Sequence, residues 1–290
     1  METPNVKPAT TFLQQIDILK KRNLVIEDED FALDVLKRVN YYRFTGYLLP
    51  FKRPDNSYVD GTTFAQVYDI YEFDRRLRHL LVGILESIET RLRTQISYYF
   101  VHKYTPLGYL QSENFRDEAT HRKFLEELNI SLRNAHKNRE LFAVHHFEKY
   151  QGNFPLWVAV EVMSFGALSK FYLNMHGRDR SAIAKSVFGV PQEYLKSWME
   201  CLVYVRNMCA HYTRLYDKEL KIKPALFPDS GITNDRLFAV LFICKRLFAP
   251  RREWRNSAIL NLQPLVEEYK GNVDISRIGF PDDWIERLER

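Results

Sequence analysis

Apolar residues recur at steps of three and four along most of the chain, and this spacing predicts a nearly all-α protein. In the longest such run, Thr63 and Gln66 stand at the spacing of a capping box and predict the helix start. The run behind them predicts one apolar stripe on a helix of up to about ten turns. The stripe comprises Val67, Ile70, Tyr71, Leu77, Leu81, Ile84, Leu85, Ile88, Leu92, Ile96 and Tyr99.

Shorter periodic segments predict further helices, each with a recognisable start or end. Thr11 with Gln14 predicts the first start, Asp28 or Asp30 the second, and Gly189-Val190-Pro191 a later one. Between 50 and 62 we expect a loop with a short hairpin or no regular structure. The remaining predictions are a helix that begins at Pro155 and ends near Gly166, a polar helix or helix pair over 114–149, an apolar helix from Arg236 to Phe248, and short helical segments punctuated by Pro264, Gly271, Gly279 and Pro281.

These elements predict three parts: an N-terminal helical segment over 1–62, a helical core over 63–250, and a helical tail over 251–290 packed on that core. The chain has 290 residues, 46% of them apolar, which is ample for a sizeable core. On the outer side of the long helix, the pairs Glu72–Arg76 and Glu89–Arg93 have the four-residue spacing of solvated ion pairs.

Composition narrows the function classes only mildly. A net charge of +5 permits an anionic partner without demanding one. Three cysteines without a Cys-x-x-Cys pair predict neither a disulfide framework nor a zinc site, which favours a reducing, cytoplasmic location. The polar start from Met1 to Thr11 is unlike a signal peptide, and no apolar run is long enough to span a membrane. We find no acidic or histidine cluster at ligand spacing, so we expect no metal and no cofactor.

The segment from Val205 to Tyr212 carries the strongest candidate chemistry. It places a permanent cation, an amide and a titratable imidazole, at Arg206, Asn207 and His211, at the end of an amphipathic helix. An imidazole can remove the proton of a ribose 2′-hydroxyl, and a guanidinium can stabilise charge on a phosphate. The spacing alone is weak evidence, because Arg116 and His121 repeat it in a segment that reads as solvated and polar on every side.

Helix geometry leaves two interpretations of this segment open. Arg206 and His211 lie about 140° apart around an α-helix and about 7.5 Å apart along it, whereas Asn207 and His211 share a face. A second chain related by two-fold symmetry could complete such a site with its own histidine. Alternatively, Arg206 pairs with a buried carboxylate, Glu86 or Glu89, and His211 bonds the last carbonyls of its own helix. Cys209, a conceivable nucleophile, is better interpreted as a small core residue.

Several blocks in order make the chain resemble a known family. They are Lys7-Pro8, Leu24-Val25-Ile26, Asn40-Tyr41-Tyr42-Arg43, Gly46-Tyr47, Pro50-Phe51, Ile70 to Arg78, Ile88 to Arg93, Pro155-Leu156-Trp157, Ser164 to Ser169, and Arg206 to His211. The chain thereby resembles, roughly from Lys7 to Pro224, the abortive-infection proteins of the AbiD/AbiF type within the HEPN superfamily of helical nucleases. The resemblance implies an all-α HEPN-type bundle with an N-terminal helical extension.

The same resemblance implies a function and a set of functional residues. It implies a homodimer that cuts RNA without a metal and halts the growth of a phage-infected bacterium. Arg206 and His211 would be catalytic and Asn207 supporting. Relatives silenced by nucleotide transfer carry a tyrosine two residues after the histidine, where this chain has Thr213, so that form of control is not expected.

Around this site we expect RNA as the substrate, no membrane, and an antitoxin protein or RNA as a further partner. Two alternatives stay open: a non-catalytic module that binds RNA or protein, and a toxin held by a neighbouring antitoxin. Glu89 is a candidate supporting residue. Basic side chains that could contact RNA, or form an ordinary solvated face, are Arg75, Arg76, Arg78, Arg91 and Arg93, with Arg251, Arg252 and Arg255.

Overall fold

A computed structural model describes residues 8–289, and every regular element in that range is helical, which confirms the all-α prediction. Within those residues the only β-pairings are isolated bridges. Lys7 of the Lys7-Pro8 block and most of the polar starting segment lie outside the described residues. The α-helices are α1 (Phe12–Lys21), α2 (Glu29–Arg38), α3 (Tyr41–Thr45), α4 (Phe64–Lys103), α5 (Glu118–Lys137), α6 (Leu141–Tyr150), α7 (Leu156–Ala159), α8 (Phe165–Asn174), α9 (Gly177–Phe188), α10 (Gln192–Ala210), α11 (Leu237–Leu247), α12 (Arg251–Trp254), α13 (Leu260–Tyr269) and α14 (Trp284–Glu289).

The long predicted helix is α4, and it organises the fold. Its 40 residues begin after Thr63, whose side chain accepts a hydrogen bond from the Gln66 N–H at 3.0 Å. The predicted stripe is buried along most of its length, and helices α7, α10, α11 and α13 all pack against it. One amphipathic helix this long cannot bury its stripe alone, so the remaining helices assemble around it.

The N-terminal elements form as predicted. Thr11 and Gln14 make both hydrogen bonds of the capping box, and Asp28 caps α2 by accepting from the Phe31 N–H at 2.8 Å. The chain then runs through α3 and a 3₁₀ segment over Gly46–Phe51. The predicted loop holds a single antiparallel bridge between Lys52 and Tyr58, so it forms only the beginning of a hairpin.

The predicted helix from Pro155 to Gly166 is wrong. Helix α7 ends at Ala159, a 3₁₀ turn covers Val160–Val162, and α8 begins only after Ser164. The break is stable for two reasons. The Ser164 hydroxyl caps α8, and the Arg93 guanidinium of α4 donates to the carbonyls of Val160 and Met163 at the break.

Two further differences between the prediction and the structure concern whole helices. Helix α9 was not predicted. Pro264 lies inside α13 instead of ending a helix. A proline inside a helix costs about 3 kcal/mol. The burial of Leu262 and Leu265 where α13 packs along α4 favours the helix in spite of that cost.

The buried core is continuous across the three predicted parts. It includes Leu19 of α1, Leu81 of α4 and Leu262 of α13. The division at 62/63 and 250/251 stays a prediction. None of the helices in residues 8–289 combines the length and apolar character that crossing a bilayer requires.

Candidate active site

The three predicted catalytic residues lie together at the C-terminal end of α10. Arg206 is half-buried in the last helical turns, while Asn207 and His211 are exposed. The Arg206 Nη1 donates to Asn207 Oδ1 at 3.4 Å, a long contact that holds the guanidinium beside the amide. His211 is the residue that directly follows the helix. The structure therefore places a cation, an amide and an imidazole within two turns and leaves two of them open to solvent.

The His211 imidazole makes no hydrogen bond to any residue within 8–289. Its backbone N–H donates to the Asn207 carbonyl at 3.0 Å, so the main chain and not the ring satisfies the helix end. Arg206 pairs with neither Glu86 nor Glu89, because Glu89 forms its ion pair with Arg93. Both alternative interpretations of the segment are therefore wrong, and the His211 ring is available to a ligand.

The turn after His211 has an unusual backbone. Tyr212 adopts φ +56°, in the left-handed region. The Tyr212 N–H donates to Cys209 O at 3.1 Å and the Thr213 N–H to Met208 O at 2.8 Å, which closes the helix with a Schellman arrangement. Glycine is the usual residue in that conformation, so Tyr212 stores backbone strain. Its ring is 63% exposed next to the candidate site.

A residue from the N-terminal part of the chain supports this turn. Arg43 of α3 donates from Nη1 to the Tyr212 carbonyl at 2.5 Å. Tyr42, its neighbour, is 87% exposed. The Asn40-Tyr41-Tyr42-Arg43 block therefore reaches the site through a hydrogen bond between two residues that are 169 positions apart in sequence. Spacing did not identify Arg43 as a site residue, because only the tertiary fold brings α3 to the end of α10.

A buried carboxylate anchors the chain that follows the site. Asp74 of α4 accepts from the Leu215 N–H at 3.1 Å, the Tyr216 N–H at 2.9 Å and the Tyr47 hydroxyl at 2.6 Å, and it forms an ion pair with Arg78. Burial raises the pKa of the Asp74 carboxyl group, while Arg78 and the donated hydrogen bonds oppose that rise. The segment after His211 is thus fixed to the N-terminal third of α4.

Sequence reasoning missed Asp74 as a supporting residue, although a signal was present. Asp74 lies three residues before Leu77, at a position that the apolar stripe of α4 would occupy. A charged residue on a buried stripe needs partners. Its partner Arg78 lies one helical turn further on.

The five arginines predicted to contact RNA fall into two groups. Arg78, Arg91 and Arg93 are committed to the protein: Arg78 to Asp74, Arg91 to the Leu247 carbonyl at 2.5 Å and the Phe188 ring, and Arg93 to Glu89 and two carbonyls. Arg75 and Arg76 are partly exposed. Of the first group, Arg78 and Arg93 are largely buried and Arg91 is half-buried. Any contact of these five residues with RNA stays a prediction.

The structure differs from the prediction for both ion pairs of α4, in the partner of one pair and in the burial of the other. Glu72 binds Arg75 at 2.8 Å instead of Arg76, and Arg76 reaches Glu268 of α13. The Glu89–Arg93 pair is confirmed, but it is largely buried rather than solvated. Glu89 therefore supports the carbonyl-binding arginine of the α7–α8 break and not Arg206.

The second arginine–histidine segment differs from its prediction. His121 is only 4% exposed, its Nε2 donates to the Tyr109 carbonyl at 2.8 Å, and its ring stacks on Phe115. The expectation of a segment polar on every side is wrong, because α5 buries one face that His121 shares with Phe124 and Leu128. This histidine is a core residue.

The cysteines and acidic residues add no further chemistry at the site. Cys209 is buried, as predicted, and burial raises the pKa of its thiol to about 12, so it stays protonated at neutral pH. Cys201 and Cys244 are buried as well. Across the part of the chain that the structure describes, no three or more His, Cys, Asp or Glu residues are placed to hold a metal ion.

A family model described as Abi-like protein matches residues 34–217, which is well over half of the chain. The chain belongs to this family. No curated protein and no solved structure matches it. The matched region of this Abi-like protein contains α3, α4 and the end of α10, so it includes Arg43, Asp74, Arg206 and His211. Helices α11 to α14 lie beyond it.

Proposed function

We propose that this Abi-like protein is a metal-independent endoribonuclease of the HEPN type that acts in abortive infection. The observation that carries the proposal is the exposed His211 imidazole, which has no hydrogen-bond partner among residues 8–289 and lies beside the Arg206–Asn207 contact. An exposed imidazole next to a guanidinium can accept and return a proton at a phosphate ester. Membership of the Abi-like family supports the defence role, since that family is associated with abortive infection.

The proposed reaction is a transfer within the RNA strand. The His211 imidazole removes the proton of a ribose 2′-hydroxyl, and the 2′-oxygen forms a bond to the adjacent phosphorus while the bond from phosphorus to the 5′-oxygen breaks. The 5′-oxygen leaves with a proton from a general acid. The products are a 2′,3′-cyclic phosphate and a 5′-hydroxyl end. Arg206 stabilises the negative charge of the phosphate, and Asn207 orients the guanidinium.

A homodimer supplies the general acid in this proposal. One imidazole cannot serve as base and acid in the same step, and Arg206 and His211 project about 140° apart from one helix. A two-fold axis beside the end of α10 would bring a second His211 to the same groove. The exposed rings of Tyr42 and Tyr212 border this surface, as dimer interfaces often have exposed aromatic residues at their centre.

Expression in a bacterium tests the proposal directly. The wild-type protein should stop growth and degrade RNA, whereas Arg206→Ala and His211→Ala should do neither. Arg116→Ala is the matched control, because Arg116 also stands five residues before a histidine and its side chain is exposed. Toxicity that survives both site substitutions would remove the catalytic role. RNA binding without cleavage, unchanged in His211→Ala, would favour a binding module instead.

The proposed products and the shared groove each have a test with purified protein. Cleaved RNA should carry 2′,3′-cyclic phosphate ends, with or without a chelator. Excess His211→Ala subunits mixed with the wild-type protein should lower the activity of the wild-type subunits, since a mixed dimer retains only one of the two imidazoles in its groove. A monomeric form that cuts RNA at the full rate would contradict the dimer. Co-purification of a protein or RNA that abolishes cleavage would identify an antitoxin.

A further inference from the structure

A basic cavity lies where the ends of α9 and α11 meet the C-terminal helices. Its volume is about 630 Å³. Apart from Phe188, its walls come from residues beyond the family match. Neither Arg206, Asn207 nor His211 contributes to it. The lining side chains are Phe188, Lys245, Arg246, Phe248, Arg251, Arg252, Trp254, Arg255, Ile259 and Glu289.

The charges around this cavity are strongly unbalanced. Five of the lining residues are cations and only Glu289 is an anion. Glu289 lies 3.5 Å from Arg255 in an exposed pair, which leaves the other cations uncompensated. Arg251 and Arg252 are exposed and form no ion pair with any residue in 8–289. Several like charges around one cavity repel one another, so an anion with more than one charge would stabilise the arrangement.

The lysine inside the cavity supports the same conclusion. Lys245 is half-buried, and its Nζ donates to the Arg287 carbonyl at 2.5 Å. Burial lowers the pKa of Lys245, and the positive charges of Arg246 and Arg251 lower it further. No Asp or Glu of residues 8–289 forms an ion pair with this ammonium group. A bound phosphate would supply the missing negative charge.

Aromatic rings form the apolar wall of the cavity. Phe248 and Trp254 pack with their ring centroids 5.6 Å apart, and the Trp254 Nε1 donates to the Leu288 carbonyl at 2.8 Å. The Arg91 guanidinium packs over the Phe188 ring, 4.9 Å from its centroid. These contacts fix the wall in place with the Phe248 and Trp254 rings tilted 60° to each other, so the cavity has a rigid aromatic wall.

We propose that this cavity binds a nucleotide that carries several phosphate groups, with the base against the aromatic wall and the phosphates at Arg251, Arg252 and Lys245. Cavities of about 300–1,000 Å³ typically hold small molecules, and the volume here falls within that range. An extended RNA strand would need a longer groove than a cavity of this volume provides. The combination of phosphate-binding cations and an aromatic surface is the chemistry that recognises a nucleotide.

Binding of ATP to the full-length protein tests this proposal by calorimetry and by the rise in melting temperature. Arg251→Ala/Arg252→Ala should weaken ATP binding about tenfold or more. The matched control is Arg122→Ala/Arg133→Ala, which removes two exposed arginines from α5 and the same net charge. All measurements use the His211→Ala background, so the result does not depend on whether the protein cuts RNA.

Three results would overturn the proposal. Equal losses in both double variants would indicate general attraction of anions. Tripolyphosphate that binds as tightly as ATP would show that the aromatic wall contributes nothing. Binding of single-stranded RNA that ATP does not displace, together with no binding of ATP alone, would assign the surface to a polynucleotide.

Discussion

Two segments of this chain place a histidine five residues after an arginine, and the fold gives them opposite environments. His121 enters the first turns of α5 on the buried face, where a carbonyl and a phenylalanine ring hold it. His211 follows the last turn of α10, where the helix ends at the surface and the imidazole has no partner in the described chain. Identical spacing therefore produces a core residue in one place and a reactive candidate in the other.

The difference arises from what surrounds each helix end. The start of α5 packs beneath Tyr109 and Phe115, so its histidine replaces an apolar residue and satisfies a buried carbonyl. Asp74 and Arg43 hold the backbone that follows α10, and both of them bind main-chain groups and not the imidazole. Rigid support beneath a free side chain is what a catalytic group requires.

The largest expected effect is the loss of RNA cleavage when His211 is replaced. His211→Ala should lower RNA cleavage by about 10²–10⁴-fold, because it removes a general acid–base group. Because the His211 side chain is exposed, the substitution should change the free energy of unfolding of the protein by no more than about 0.5 kcal/mol. A cleavage assay and urea unfolding on the same preparation measure both. A fully active His211→Ala protein would erase the distinction between the segments.

The anchor beneath the site should show the next largest effect. Asp74→Ala leaves Arg78 buried without its partner and should cost about 3–5 kcal/mol of unfolding free energy. Asp34→Ala is the control, because the Asp34–Arg38 pair is exposed and its loss should leave the free energy of unfolding nearly unchanged. Denaturant unfolding measures both variants, and similar losses would contradict the anchoring role of Asp74.

His121→Ala should reverse the pattern of His211→Ala. Loss of its ring leaves the Tyr109 carbonyl without a donor in the core and should cost about 1–3 kcal/mol. Cleavage per folded molecule should remain at the wild-type level. The measurement pairs unfolding with activity at a temperature where both proteins are folded. A His121→Ala protein that is as stable as the wild type but inactive would contradict the assignment of His121 to the core.

The smallest effect concerns the strained residue after His211. Tyr212→Gly should stabilise the protein by about 0.5–1 kcal/mol, because glycine adopts φ +56° without the Cβ penalty. Gly189→Ala is the complementary control: φ there is +65° and an added Cβ meets nothing within 4 Å, so a loss of about 1 kcal/mol reports the backbone alone. If Tyr212→Gly also lowers activity, the exposed ring contributes to the site and its strain is retained for function.

Local patterns were sufficient for the elements whose signals lie within one turn. The capping boxes at Thr11 and Thr63, the stripe of α4 and the start of α10 after Pro191 all formed as predicted. Each rests on spacing within a helix, which the backbone imposes wherever it forms. The choice of Arg206, Asn207 and His211 as neighbours also came from sequence, because all three lie within one short segment.

Only the tertiary structure decided which of the two histidines is exposed, which arginines stay near solvent, and where the helix after Pro155 breaks. Each answer depends on a contact between distant segments: Arg93 with the Val160 and Met163 carbonyls, Asp74 with Leu215 and Tyr216, Arg43 with Tyr212. Sequence spacing reports the face of a helix on which a side chain lies. Packing alone determines whether another part of the chain covers that face, because burial is a property of the assembled helices.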